Sequence, residues 1–410
     1  MSALTGDLIE ARLKELAQHT SEPGRMTRLY LSPEHRAAMD LVASWMRAAG
    51  MDVHVDAAAN VVGRYEGAPP DAQTLLIGSH IDTVRNAGIY DGNLGVVTGI
   101  AVVEELHRAG RRLPFAIEVI AFGDEEGVRF ATTLSGSRAV AGRFVESCLD
   151  ERDAGGQSRR DLLAGFGCGV TQTPQAARDP SRVLGYVEVH IEQGPVLEAR
   201  SLPLGIVTAI NGCSRGEVRL KGMAGHAGTL PMDMRHDALA AAAEMILAVE
   251  ARGRAETGLV ATVGVLNMPS GAINVVPGEV RFTLDVRSAD DAGRHRAVED
   301  IRRDLARIAA HRGVSCDIEI SYDAPAAPCD GALMDLLSRA VDIQGLEAFR
   351  LPSGAGHDAM SFRGLWPIAM LFVRCRGGVS HNPAEYASPE DMGLGARALF
   401  DFVHLLGART

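Results

Sequence analysis

Leu75-Leu76-Ile77 is a short apolar run that stops at Gly78-Ser79, and the residue that follows is a histidine. An apolar run of that length, bounded by glycine, reads as a buried parallel strand. His80 and Asp82 then leave its carboxyl end, where open α/β sheets place their ligand sites. The arrangement recurs. Phe115 to Phe122 is a second run, ending in Gly123-Asp124-Glu125-Glu126-Gly127, and Gly185 to Ile191 is a third, with His190 near its end and Gln193 just beyond. Between the first two lies Val96 to Arg108, a helical run of small residues preceded by the turn Tyr90-Asp91-Gly92-Asn93. Strand, helix, strand is the pattern of a βαβ unit, so the expected fold class is α/β: a mixed, mostly parallel sheet with helices on both faces.

One His-x-Asp pair is equally a surface hydrogen bond, and two acids at a strand end are equally solvated charges. Recurrence on one sheet edge favours metal ligands. His80, Asp91, Glu125, Glu126, His190 and His381 supply nitrogen and oxygen donors without a thiolate, a set that fits Zn, Mn, Co or Ni rather than iron–sulfur or copper(I) chemistry. A carboxylate such as Asp82 can orient His80 through its other ring nitrogen. Adjacent residues in extended backbone point to opposite sides, so one of Glu125 and Glu126 can reach a metal while its neighbour faces the substrate. A spare glutamate in that position can take a proton from water and return it to a leaving nitrogen.

Earlier in the chain, residues 7–18 and 33–49 read as helices, the second with Ser32 as cap and Pro33 in its first turn. The segment 148–180 is Gly-rich and irregular, reads as helix and loop, and offers no chemistry. From about Asn211 the pattern changes. Strand-like Glu217 to Gly222, helical Asp237 to Arg252, strands Leu259 to Leu266 and Gly278 to Arg287, helical Ala292 to His311 and strand Ser315 to Tyr322 give the order βαββαβ, an independent small sandwich with an antiparallel sheet. Ala324-Pro325-Ala326-Ala327-Pro328 reads as the return linker, after which come helix Ala332 to Ile343, the loop Ser353 to Ala359 with His357, and strand Pro367 to Val373. The expected domains are residues 1–211 and 328–410 together as a catalytic metal-binding domain, with 212–327 as an inserted lid and dimerisation domain.

Composition excludes several partners. A net charge of −11 with 5% aromatic residues leaves no basic stripe for nucleic acid or an anionic membrane. Met1 to Leu16 alternates apolar and charged residues and suits neither a signal peptide nor a membrane span, so the cytoplasm is the expected compartment. Six cysteines lie scattered with no Cys-x-x-Cys spacing, which argues against a disulfide framework.

Six motifs in order, His80 through Asp91, Asp124-Glu125-Glu126-Gly127, His190 to Pro195, Ala224-Gly225-His226-Ala227-Gly228-Thr229, Gly354 to Asp358 and Ser380-His381-Asn382-Pro383, together resemble the hydantoinase/carbamoylase group of dinuclear metal amidohydrolases, within the M20 metallopeptidase-like superfamily. The resemblance covers nearly the whole chain and is strongest to allantoate amidohydrolases, with N-carbamoyl-L-amino acid hydrolases and β-ureidopropionases close by. It implies a dinuclear zinc-peptidase-like fold holding two divalent ions per subunit, Zn or Mn, with Co or Ni as alternatives. It assigns one ion to His80, Asp91 and His190 and the other to Asp91, Glu126 and His381, with Asp91 bridging. Glu125 becomes the general base and Asp82 orients His80. His226 meets the developing oxyanion, and Gln193, Asn274, Arg287 and His357 are substrate-binding. Arginine suits a substrate carboxylate because its planar fork binds one bidentately.

The expected reaction is cleavage of a linear ureido C–N bond in a small carboxylate substrate, allantoate first, with N-carbamoyl-L-amino acids or N-carbamoyl-β-alanine as alternatives. An aminoacylase or dipeptidase of the same superfamily, or a non-catalytic binding protein on the same fold, are the rivals. His190 favours the ureido branch, because the superfamily's peptidases commonly carry an acidic residue at that ligand. The resemblance further implies a homodimer through the inserted domain, closure about hinges near Asn211 and Ala327, His226 and Asn274 acting in their own or the partner subunit's site, and a cis peptide just after Asp91.

Overall fold

The structure, a computed structural model, describes residues 2–169 and 175–409. The chain divides into two compact units, Met1–Thr208 with Pro328–Thr410, and Ala209–Ala327.

In the first unit β1 (Asp52–Val55), β2 (Val61–Tyr65), β3 (Thr74–His80), β4 (Ala116–Phe122), β5 (Val183–Ile191) and β6 (Leu204–Ile210) join the strand Ile368–Val373 in one sheet. Their order across it is β1-β2-β4-β3-β5, then Ile368–Val373, then β6. The centre is parallel: β3 runs with both β4 and β5, and Ile368–Val373 runs with β5. β2 and β6 flank it antiparallel. The four central strands are buried along almost their whole length, which is why they read as continuous apolar runs rather than alternating ones.

Local chemistry sets the helix boundaries. Ser32 accepts the N–H of His35 at the start of Pro33–Ala48, Asp330 caps Gly331–Ile343, and Ser388 caps Pro389–Gly407. Helix Asn93–Arg108 joins β3 to β4 and is buried on nearly every side of its first three turns, consistent with its Gly and Val content. Leu94, Val97, Ile100 and Val103 share one core with Ile77, Val119, Val189 and Leu371. Between β4 and β5 the chain forms a short 3-10 turn Glu146–Asp150 and a helix Arg159–Gly165, while residues 170–174 of that expected irregular segment lie outside the described ones.

The second unit is an antiparallel sheet of Gly212–Lys221, Glu279–Ser288 and Ser315–Ala324 with shorter edge pieces, carrying helices Ala238–Arg254 and Asp291–Arg312. Strand Glu279–Ser288 alternates, turning Val280, Phe282, Leu284 and Val286 toward a core with Met245, Val249, Ile301 and Leu305. The expected single strand Leu259 to Leu266 is instead two, Leu259–Thr262 and Leu266–Asn267, both paired with Glu279–Ser288. At the interruption the N–H of Val265 turns to the hydroxyl of Thr283, a side chain taking the place of a ladder partner.

Cys213 stands opposite Ala324 in the antiparallel register, so the two ends of this unit leave it side by side. With its own core and adjoining ends, a fragment of residues 209–327 should fold alone and unfold in one cooperative thermal transition. A broad, featureless melt by circular dichroism would show that it depends on the remainder of the chain.

Candidate metal centre

The carboxyl ends of the four parallel strands, which are neighbours in the sheet, deliver the polar cluster. His80 is the last residue of β3, His190 the last but one of β5, Glu125 and Glu126 follow β4, and His381 follows Ile368–Val373. Asp91 enters just before helix Asn93–Arg108 and lies at the middle, 3% exposed.

The two oxygens of Asp91 face different partners. Oδ1 is 3.4 Å from His80 Nε2 and 3.1 Å from His190 Nε2, whereas Oδ2 is 3.3 Å from His381 Nε2. His381 Nε2 also lies 3.5 Å from Glu126 Oε2. Donor atoms of His80, Asp91 and His190 fall within 4.8 Å of one another, and so do those of Asp91, Glu126 and His381. Two overlapping triads, His80 with Glu125 and Glu126, and Glu188 with His190 and His357, meet the same distance. Glu188 is already engaged by Ser79, Tyr186 and the N–H of Ala359.

Hydrogen bonding decides what this cluster needs. His80 donates Nδ1–H to the carbonyl of Asp82 at 3.0 Å, and His190 donates Nδ1–H to that of Ile191 at 2.9 Å. In a neutral imidazole the proton is then spent, leaving a bare Nε2 lone pair. His190 Nε2 indeed accepts from the N–H of Gly92 at 3.3 Å. Nε2 of His80 and of His190 thus lies close to Asp91 Oδ1, an approach that needs positive charge between them, whether a proton or a cation. Nitrogen and oxygen donors in this number suit borderline divalent cations. Burial pushes Glu125 well above the usual carboxylate range, with Glu126 adding to the effect. Burial also lifts Glu126 to about 7, reinforced by Asp91. His381 is raised to about 9, chiefly by its contact with Asp91. For His80, burial alone would lower the pKa, but Asp91, Glu125 and Glu126 outweigh it and hold it well above 6.5. All of these shifts draw positive charge inward.

Several expected roles take a different form. Asp82 holds His80 through its backbone carbonyl; its carboxylate stays 3.8 Å away and instead accepts the N–H groups of Glu125 at 3.2 Å and Glu126 at 3.3 Å. Gln193 donates its amide to Asp91 Oδ2 at 2.7 Å and to Ser380 Oγ at 3.3 Å. His357 is buried, its Nε2 2.7 Å from Ser353 Oγ and its ring edge-on to His190 at 4.5 Å. The expected cis peptide is absent: every described peptide bond is trans, and Gly92 turns the chain with φ 66 instead. Arg159, from the segment in which the sequence offers no chemistry, is fully buried against Asp124 at 2.5 Å and also binds Glu151 and the carbonyl of Thr132. No sequence signal marks it.

In the second unit His226 and Asn274 come together: Val275 pairs with His226, and the N–H of Ala227 donates to the Asn274 carbonyl. His226 Nδ1 accepts from the N–H of Gly228 at 3.0 Å, which leaves Nε2–H as the donor of an exposed ring. Arg287 is half-buried and gripped side-on by Asp285, at 2.8 and 3.0 Å.

The model of peptidase family M20/M25/M40 matches residues 76–405. The chain belongs to this family. The M20 match begins within β3 and runs through the inserted unit to the last helix. Allantoate deiminase 1 of Glycine max is 42% identical over 428 residues, covering 97% of this chain and 88% of that protein. The N-carbamoyl-L-amino acid amidohydrolase of Geobacillus stearothermophilus is 42% identical over 401 residues, covering 98% of both. A crystal structure of a hydantoinase/carbamoylase family amidase from Burkholderia multivorans superposes with a TM-score of 0.91 at 34% identity, covering 97% of each chain.

If the Asp82 carboxylate holds the turn that carries both glutamates, Asp82→Asn should replace an acceptor with a donor there and leave the His80 contact intact. Hydrogen exchange at the amides of Glu125 and Glu126 should speed up about tenfold or more, the scale of a lost buried hydrogen bond to a charge. Unchanged protection would mean the carboxylate does not hold this turn.

Proposed function

We propose that the protein hydrolyses a linear ureido C–N bond in a small carboxylate-bearing molecule, using two divalent cations. The observation that carries this reading is Asp91, whose two oxygens are each opposed by imidazole nitrogens. His80, Asp91 and His190 would hold one ion and Asp91, Glu126 and His381 the other. When bound, such a pair would acidify water and polarise a carbonyl. Zn and Mn are the ions to try first.

Glu125 adjoins both sets, its Oε2 4.0 Å from His80 Nε2. It takes the proton that water loses on attacking the ureido carbon and returns it to the departing nitrogen. His226 presents Nε2–H to the carbonyl oxygen as negative charge develops there. Arg287, oriented by Asp285, meets the substrate carboxylate, with Asn274 beside His226. Ammonia leaves first, and the carbamic acid left on the substrate's remaining nitrogen loses carbon dioxide to free the amine. Allantoate and N-carbamoyl-L-amino acids both carry the required ureido and carboxylate groups, and relatives named for each are equally similar to this chain.

We also place the protein in the cytoplasm as a homodimer joined through the inserted unit. Among its described residues that unit exposes Met232, Met234, Val260, Val265 and Ile273. Exposed apolar side chains and the open edges of an antiparallel sheet suit pairing across a two-fold axis. A monomeric mass by sedimentation at micromolar concentration would refute the dimer. No described helix is long and apolar enough to cross a membrane.

Assayed on allantoate, N-carbamoyl-L-amino acids and N-carbamoyl-β-alanine with Zn or Mn, the wild type should release ammonia from at least one. Glu125→Gln should keep both ions and lose roughly 100-fold or more in kcat, the contribution of a general base. Loss of an ion along with activity would make Glu125 a ligand. Arg287→Lys should raise KM, since one ammonium cannot serve Asp285 and a substrate fork together, and an unchanged KM would remove Arg287 from the site.

A further inference from the structure

Glu385 belongs to neither donor set, yet all its hydrogen bonds end on residues that carry or adjoin a ligand. It is 5% exposed. Its Oε1 accepts the backbone N–H of Tyr90 at 2.9 Å and of Asp91 at 3.1 Å. Its Oε2 is 3.0 Å from Ser380 Oγ, which is itself 2.7 Å from Asp91 Oδ2. One carboxylate therefore ties the backbone of Asp91 to the turn that presents His381, across 294 positions of sequence. The opposite wall is shaped for it. A Cβ on Gly88 would lie 2.3 Å from Glu385 Oε1 and 2.4 Å from its Cβ and Cδ, so the chain is bare where Glu385 crosses it.

We propose that Glu385 is a positioning residue of the metal centre, holding Asp91 and His381 at their spacing and so setting ion affinity without being a ligand. The proposal rests on the reading of His80, Asp91, Glu126, His190 and His381 as ligands. Proton counting says which variants matter. The Ser380 hydroxyl owns one proton and cannot donate to Asp91 and Glu385 at once. A glutamine at 385 could accept both backbone N–H groups with its oxygen and donate its amide to Ser380 Oγ, leaving the hydroxyl proton for Asp91. Shape and hydrogen bonds, rather than charge, are then what position 385 supplies. An alanine supplies neither.

The test uses purified full-length protein stripped with a chelator and titrated with Zn²⁺ or Mn²⁺ against a chromophoric competitor, with the thermal melt of each stripped protein alongside. Glu385→Ala should weaken at least one of the two ions by about 10- to 100-fold, the usual effect of losing a group that orients ligands. Glu385→Gln should bind close to wild type. Gly88→Ala keeps the carboxylate but pushes it aside, so it should lose affinity as well. In a Glu385→Gly background, which removes the Cβ at that position as well as the carboxylate, Gly88→Ala should cost no further affinity. Wild-type affinity in Glu385→Ala overturns the proposal, as does wild-type affinity in Gly88→Ala should Glu385→Ala fail to fold. A wild type that binds no ion refutes the ligand set instead.

Discussion

The centre of this molecule is a carboxylate that faces imidazole nitrogens on both sides. Asp91 is buried, and the imidazoles opposite its oxygens have already spent their Nδ1 protons on backbone carbonyls where His80 and His190 are concerned. Burying an ionised carboxylate costs several kcal/mol unless opposite charge and hydrogen bonds offset it. Glu125 and Glu126 add like charge close by. Gln193 and Ser380 counter that repulsion by donating to Asp91 Oδ2, and Arg159 lies against Asp124. Asp82 holds the turn beneath the two glutamates by accepting their N–H groups, even as it adds a further negative charge. The backbone is bent to the same end. Asp124, Gln193 and His381 all sit at positive φ, at 69°, 56° and 55°, a conformation that costs on the order of 1–3 kcal/mol each and persists only where its surroundings enforce it.

A parallel sheet is well suited to such a cluster because each of its strands ends on the same edge. That geometry made the cluster legible in the sequence. Each apolar run stops at a residue that does not belong in a core, and the stops coincide in space because the strands run the same way. Helix boundaries were legible for the same local reason, as at Ser32-Pro33, where cap and first-turn proline adjoin.

What the sequence could not convey is which atom of a residue acts. Asp82 was expected to orient His80 through its carboxylate, and the carbonyl does so, a choice set by backbone torsions rather than residue type. Gln193 spends its amide on Asp91, which depends on a left-handed turn that no glycine announces. Arg159 and Asp124 are 35 positions apart, with no periodicity linking them. The division of the strand at 263–265 leaves no mark on the apolar pattern, because a threonine hydroxyl takes the N–H of Val265 and apolar patterning does not register hydroxyls.

The adjoining ends of the second unit, Cys213 beside Ala324, bear on the order in which the centre can be assembled. The ribosome makes His80, Asp91, Glu125, Glu126 and His190 first, then the whole of the inserted unit, and only afterwards Ser380, His381 and Glu385. Because the unit returns the chain to where it left, the late segment can join the strands already made without threading past them. Until it arrives, Asp91 has an imidazole facing only one oxygen, and the acids gathered near it lack one of the three imidazoles that face them. A nascent chain therefore carries a half-built, anionic pocket through the synthesis of an entire domain, and the last lap of translation closes it.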